Sequence, residues 1–231
     1  MRIVHIIPTL QKGGAERLVV DIVKGLDKLA RVEVALVVLH KVVDYPIDTI
    51  NHLVHFIPAQ VKLSLKGKNK KNVVALEKFI TDFKPDIIHS HLFEAEIVSR
   101  SIYYPQARWF SHCHDNMLQF RKLTEYNKLR KHAFTNAYEK KYLFKHYKKN
   151  GGTHFIAISN DTFTYFKKRI KKHPITLLHN AIDFKNFYKA IEPGKNNTKC
   201  LRLINLGSFV PKKNQTFWRN LLWYSKVLYI S

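Results

Sequence analysis

Residues 2–17 read RIVHIIPTLQKGGAER. The run from Arg2 to Ile7 is rich in β-branched side chains and reads as a strand. A short loop leads to the pair Gly13 and Gly14, and apolar residues then recur at Leu18, Val19, Ile22, Val23 and Leu26, a helical spacing. The unit is therefore strand, glycine turn, helix. Similar alternation continues along the chain and argues for parallel βαβ units. Val32 to Leu39 is almost wholly apolar, as strands covered on both faces are. Leu53 to Ile57 is a weaker third strand. The basic stretch Lys62 to Lys71 reads as a loop entering a helix at Val73 to Phe83. Pro85 breaks the chain before a strand from Asp86 to His91. A helix near Ala95 to Tyr103, a strand from Ala107 to His112 and a long basic, aromatic helix from Asn127 to Lys149 come next. The strand Phe155 to Ile158, a helix capped in the stretch Ser159 to Asp161 and running to about Lys171, and the strand Ile175 to Leu178 complete the pattern. The fold class expected is α/β, a Rossmann-like parallel sheet flanked by helices.

A length of 231 residues fits one large α/β domain and part of another. The polar stretch EPGKNNTK at 192–199 reads as a linker, and LRLINL at 201–206 opens a new strand. The expected organisation is a first domain over 1–181, a linker over 182–199 and the start of a second Rossmann-like domain over 200–231.

Forty Lys and Arg against 17 Asp and Glu give a net charge of +23. Such a balance favours anionic partners: phosphate-bearing substrates, acidic membrane surfaces or nucleic acid. The opening residues carry no basic leader, and no apolar run approaches the roughly 20 residues that span a bilayer. A cytoplasmic protein, peripheral on the inner membrane face, is expected. Cys113 and Cys200 form no CxxC pattern, so neither a disulfide framework nor a zinc site is suggested.

Glycine at a strand-to-helix turn lets a phosphate approach free N–H groups and the positive end of the helix dipole. His89, His91, His112 and His114 fall at the ends of two strands, where open α/β sheets bind ligands. Residues two apart on a strand share a face, so each His-x-His presents two rings together. Metal ligation is one reading of them. No carboxylate or cysteine falls at a telling spacing, so no metal is expected. His89 is expected to be a satisfied core histidine. The helix around Lys128 to Lys149 interleaves lysines with Tyr138, Tyr142, Phe144 and Tyr147. That pattern suits a membrane interface, nucleic acid, or a core-facing aromatic stripe under a solvated basic face.

Six segments occur in register: GGAER at 13–17, PDIIHSH at 85–91, HCHD at 112–115, AIS at 157–159, LLHNAIDFKNF at 177–187 and LGSFVPKKN at 206–214. Together they resemble glycosyltransferase family 4, retaining enzymes of the GT-B fold. The resemblance runs from Met1 to about Gln215. It implies an acceptor-side N-terminal domain and a C-terminal domain that holds a nucleotide sugar. It matches His114 to the histidine that contacts the transferring sugar, with His112 as the alternative if the register slips by two. Gly13 and Gly14 match the loop beside the donor diphosphate, and Lys213 matches a diphosphate-binding lysine. Arg17, His91, Asp115 and Asn180 are further candidates for acceptor or sugar contact. Ala181 replaces the glycine usual after Asn180, and Asp183 belongs to the same junction segment.

Ser208 stands where the family has an arginine, and no acidic residue follows Glu192 to match its glutamate pair. The implied activity is sugar transfer from a nucleotide sugar to a glycan or lipid-linked acceptor in polysaccharide assembly, the nucleotide sugar being a substrate and no cofactor being needed. Transfer by this chain is expected to be impaired or absent, with most of the donor-binding domain missing. The alternative is a non-catalytic binding module for anionic lipid or glycan. Nucleic acid ranks behind both.

Overall fold

A computed structural model describes residues 1–122, 132–170 and 172–181. The chain divides into two units, Met1–Asn186 and Phe187–Ser231. The second lies outside the described residues, as do Asp183, Ser208, Lys213 and the strand expected at 201–206.

The first unit is built on a seven-stranded sheet, every pair parallel. Its strands are β1 (Arg2–Ile7), β2 (Glu33–Val38), β3 (Val54–Phe56), β6 (Ile87–His91), β7 (Arg108–Cys113), β8 (His154–Ala157) and β9 (Ile175–Leu177). Their order is β3-β2-β1-β6-β7-β8-β9. The chain winds outward from β1 through β2 to β3, then returns to place β6 on the other side of β1. A topological switch therefore falls between β1 and β6.

Helices cover the sheet as the sequence periods require. Helix α1 (Gly14–Asp27) buries Leu18, Val19, Val20 and Val23. These pack with Ile3 and Ile7 of β1 and Val34, Leu36 and Val38 of β2. The opposite face carries Val4, Ile6, Ile88, Trp109 and Phe155. Helices α2 (Val74–Phe83), α3 (Leu92–Arg100), α4 (Ala133–Lys149) and α5 (Asn160–Lys167) each contribute to that second core. Each fully buried Val, Leu or Ile adds about 1.5–3 kcal/mol.

Four segments depart from expectation. The basic stretch at 62–71 is the tip of an antiparallel hairpin, β4 (Gln60–Lys62) with β5 (Lys70–Asn72). Helix α3 begins three residues earlier than expected, directly after β6, because Leu92 takes a left-handed φ of 67° and turns the chain without a loop. Helix α4 starts at Ala133 and α5 ends at Lys167. The aromatics of α4 are largely core residues: Tyr142 and Tyr147 are buried, and Phe144 packs against the same cluster. The core-facing stripe is thus the reading that the packing fits. Ser159 caps α5 as expected, its Oγ accepting from Thr162 N at 3.2 Å.

Candidate active site

In a parallel pair, residues in register share a face. His5 is in register with His89, and His91 with His112. The sheet therefore gathers His5, His89, His91, His112 and His114 on the α1 side, beside the switch between β1 and β6. Two chains of contacts run through them. Nδ1 of His5 is 3.0 Å from Nε2 of His91, whose Nδ1 is 3.2 Å from Nε2 of His114. Nδ1 of His112 is 3.2 Å from Nε2 of His89. His112 also stacks on His114 at 4.4 Å between centroids, and His89 lies tilted against His91 at 4.3 Å.

Burial sets their protonation. It pushes His5 and His114 down to about 3, with the neighbouring His112 adding to both, and His112 itself to about 4. Burial first, then the charges of the other rings, drives His89 and His91 well below the ordinary histidine value. All five rings are neutral at pH 7, each with one N–H and one lone pair. Nε2 of His5 has no hydrogen-bond partner among the described residues. A buried lone pair without a partner costs less than a buried donor without one. The favoured tautomer of His5 thus donates from Nδ1 to His91, and His91 donates from Nδ1 to His114. His114, only partly buried, is left with Nε2 as acceptor and Nδ1–H as a free donor.

The glycine loop follows β1. Gly13 is the N-cap of α1, and Tyr45 clamps it: Gly13 N donates to Tyr45 Oη at 3.0 Å, and the hydroxyl donates to Gly13 O at 2.7 Å. A Cβ on Gly13 would lie 2.1 Å from Oε2 of Glu16, so this carboxylate is folded against the turn where a phosphate is expected. A Cβ on Gly14 would meet nothing within 4 Å. Arg17 is engaged by Asp21 at 3.0 Å, one turn along α1. Asp115 and Asn180 are exposed beyond the ends of β7 and β9. The structure thus brings His91, His112 and His114 together, and leaves Arg17 tied to its own helix.

A cleft of about 1020 Å³ lies elsewhere. It is lined by Arg108, Phe110, Thr153 and His154 at the N-terminal ends of β7 and β8. Parallel sheets bind ligands at the opposite ends of their strands, so strand polarity favours the histidine end over size.

The family model for glycosyltransferase family 4 matches residues 12–186. The chain belongs to this family. Among solved structures it is similar to a glycosyltransferase from Rickettsia africae, at 16% identity and a TM-score of 0.51, covering 80% of this chain and 44% of that one. It is also similar to a sucrose-phosphate synthase from Thermosynechococcus elongatus, at 13% identity and a TM-score of 0.53, covering 81% of this chain and 50% of that one. The chain thus spans about half the length of the structures it matches, and the likeness is one of fold. No curated protein matches it.

At this candidate site of a family 4 chain, sequence reading missed His5 and Tyr45, and on the opposite face of the sheet it missed the buried pair Glu96 and Arg100, which bond Ser111. His5 sits in an apolar run, and only the strand order, with β6 beside β1, places it against His89. Glu96 and Arg100 have helical i,i+4 spacing, a signal that was available.

Proposed function

We propose that this chain is a retaining sugar transferase of family 4, taking a nucleotide sugar as donor and a glycan or lipid-linked glycan as acceptor. The observation that supports this best is the neutral pair His91 and His114 at the switch of a family 4 sheet. In the proposed step the bond from the anomeric carbon to the diphosphate oxygen breaks and a bond to the acceptor oxygen forms. The hydroxyl proton passes to the leaving diphosphate. Neutral His114 donates a hydrogen bond to the reacting sugar without adding positive charge beside an oxocarbenium-like centre. His91 holds its ring orientation. The N-terminus of α1 faces the diphosphate, with Glu16 swinging away; the family resemblance makes Lys213 a diphosphate-binding lysine. No metal takes part in this step. Ser208 lacks the charged fork of an arginine, so donor affinity and turnover are low.

The proposal includes docking on an anionic membrane. A cleft of about 350 Å³ is lined by Lys71, Lys141, Lys145 and Lys149, with Asn69 and Tyr138 beside them. Each lysine near an anionic surface contributes about 1 kcal/mol, enough together for salt-sensitive attachment. No helix among the described residues is long and apolar enough to cross a membrane.

Calorimetric titration with UDP, GDP and their sugar conjugates tests the reading. Binding of one conjugate, weakened by Lys213→Ala, is expected. A folded chain that binds none of them refutes it.

A further inference from the structure

The histidines at β1 and β6 do more than orient His114. We infer that His5, His89 and His91 form a binding site for one divalent transition-metal ion of the imidazole-preferring kind, zinc above all. This site lies behind the proposed sugar contact and does not depend on the transferase reading.

The pleat of the sheet brings the three rings together. His89 and His91 are two apart on β6 and share its α1 face, and His5 stands on the same face of the adjoining strand. One ring nitrogen from each lies within 4.8 Å of the others. The closest pair, Nδ1 of His5 and Nε2 of His91, is 3.0 Å apart. Zinc–nitrogen bonds of about 2.0–2.1 Å at tetrahedral angles place donors roughly 3.3 Å apart, so this edge of a coordination shell is nearly made. His89 needs a shift of about an ångström to close the face.

The outer nitrogen of His91 is already occupied as a metal site requires, while ligation through Nδ1 of His5 moves its proton to Nε2, which has no partner among the described residues. When Nε2 of His91 ligates, its Nδ1–H donates to His114 Nε2 across 3.2 Å. When Nδ1 of His89 ligates, its Nε2–H donates to His112 Nδ1, also at 3.2 Å, and the His112 proton then lies on Nε2, which has no partner among the described residues. Such outer hydrogen bonds fix tautomer and ring angle in histidine metal sites. His5 and His91 are almost fully buried, while His89 keeps some exposure and offers a way in. Three histidines with a position left for a further ligand is a known zinc donor set. A second group, His91, His112 and His114, shares His91 with the first. The first is preferred because its rings stand on the adjoining strands β1 and β6 and its closest nitrogen pair is 3.0 Å apart, against 3.2 Å for His91 and His114.

The test uses the full chain stripped with a chelator, then titrated with Co²⁺ by visible absorption and with Zn²⁺ by calorimetry. One ion per chain is expected, with a dissociation constant below ~10 μM and the strong visible bands of four-coordinate cobalt. His5→Gln, His89→Gln and His91→Gln are each expected to weaken binding at least ~100-fold. His52→Gln and His179→Gln should leave it unchanged. His114→Gln should weaken it ~10-fold or less, as an outer partner. Folding of every variant is checked by circular dichroism. Zinc should also raise the melting temperature of the wild-type chain, a readout that needs no variant. The inference is overturned if the folded, stripped wild-type chain binds neither ion. It is equally overturned if binding survives His5→Gln or if His114→Gln abolishes it. None of these readouts involves sugar transfer, so the two proposals fail separately.

Discussion

Replacing Glu96 by alanine should destabilise this protein more than most single changes. Glu96 and Arg100 lie one turn apart on α3, Nε to Oε1 at 3.1 Å, with side chains 2% and 0% exposed. Arg100 Nη2 donates to Ser111 Oγ at 3.0 Å and to Thr153 Oγ1. Ser111 Oγ donates to Glu96 Oε1 at 2.6 Å, and Ser90 Oγ to Oε2. The guanidinium carbon sits 4.5 Å from the ring centre of Trp109 and 4.9 Å from that of Tyr147. Glu96→Ala leaves this guanidinium charged and without its carboxylate, a loss of about 3–5 kcal/mol. At about 2–4 °C per kcal/mol for a domain of this size, the melting temperature falls by roughly 6–20 °C. The double variant Glu96→Met, Arg100→Leu removes both charges and keeps the volume. It should cost far less than the two single losses added together, with a coupling of at least ~2 kcal/mol. Urea unfolding followed by tryptophan fluorescence and circular dichroism measures Glu96→Ala, the single variants Glu96→Met and Arg100→Leu, and the double variant. A single loss under about 1 kcal/mol, or strict additivity, would refute the reasoning.

Other outcomes follow from the same structure. With metal chelated, stability should fall as pH drops from 6.5 toward 4, because His5 and His112 titrate at about 3 and about 4 when folded and near 6.5 when unfolded. In that window the unfolded chain binds more protons, and each residue removes up to ~1.4 kcal/mol per pH unit; a urea midpoint unchanged between about pH 7 and pH 5 would contradict this. Lys84 closes α2 with a left-handed φ of 52° and is exposed. Lys84→Gly should therefore raise unfolding free energy by about 0.5–1 kcal/mol in the same assay. Cys113 is buried, and burial together with Glu96 and Asp115 holds its thiol well above the ordinary range. Peptide mapping after alkylation should find it unmodified in the native chain and modified in urea.

The sequence announced the sheet because its central strands are covered on both faces. Runs such as VEVALVVL leave little else to be. The hairpin at β4 and β5 was not legible: Lys70, Lys71 and Asn72 are all exposed, so no burial period marks them as a strand. Leu92 gave no warning of its left-handed turn, since leucine is not a residue that favours one. Of the site, His89 and His91 on β6, His112 on β7 and His114 just after it were visible through their spacing of two. His5 was not, because its role depends on which strand lies beside β1. The clamp of Gly13 by Tyr45, 32 residues away, likewise needs the fold before it can be seen.

The most direct test of the central claim is an imidazole NMR titration of the ¹⁵N-histidine-labelled chain with nucleotide sugars and lipid-linked glycans. The account predicts that one donor or acceptor shifts His114 and His91 while His52 and His179 stay fixed. Binding that leaves His114 and His91 unmoved, or no binding by the folded chain, would contradict it.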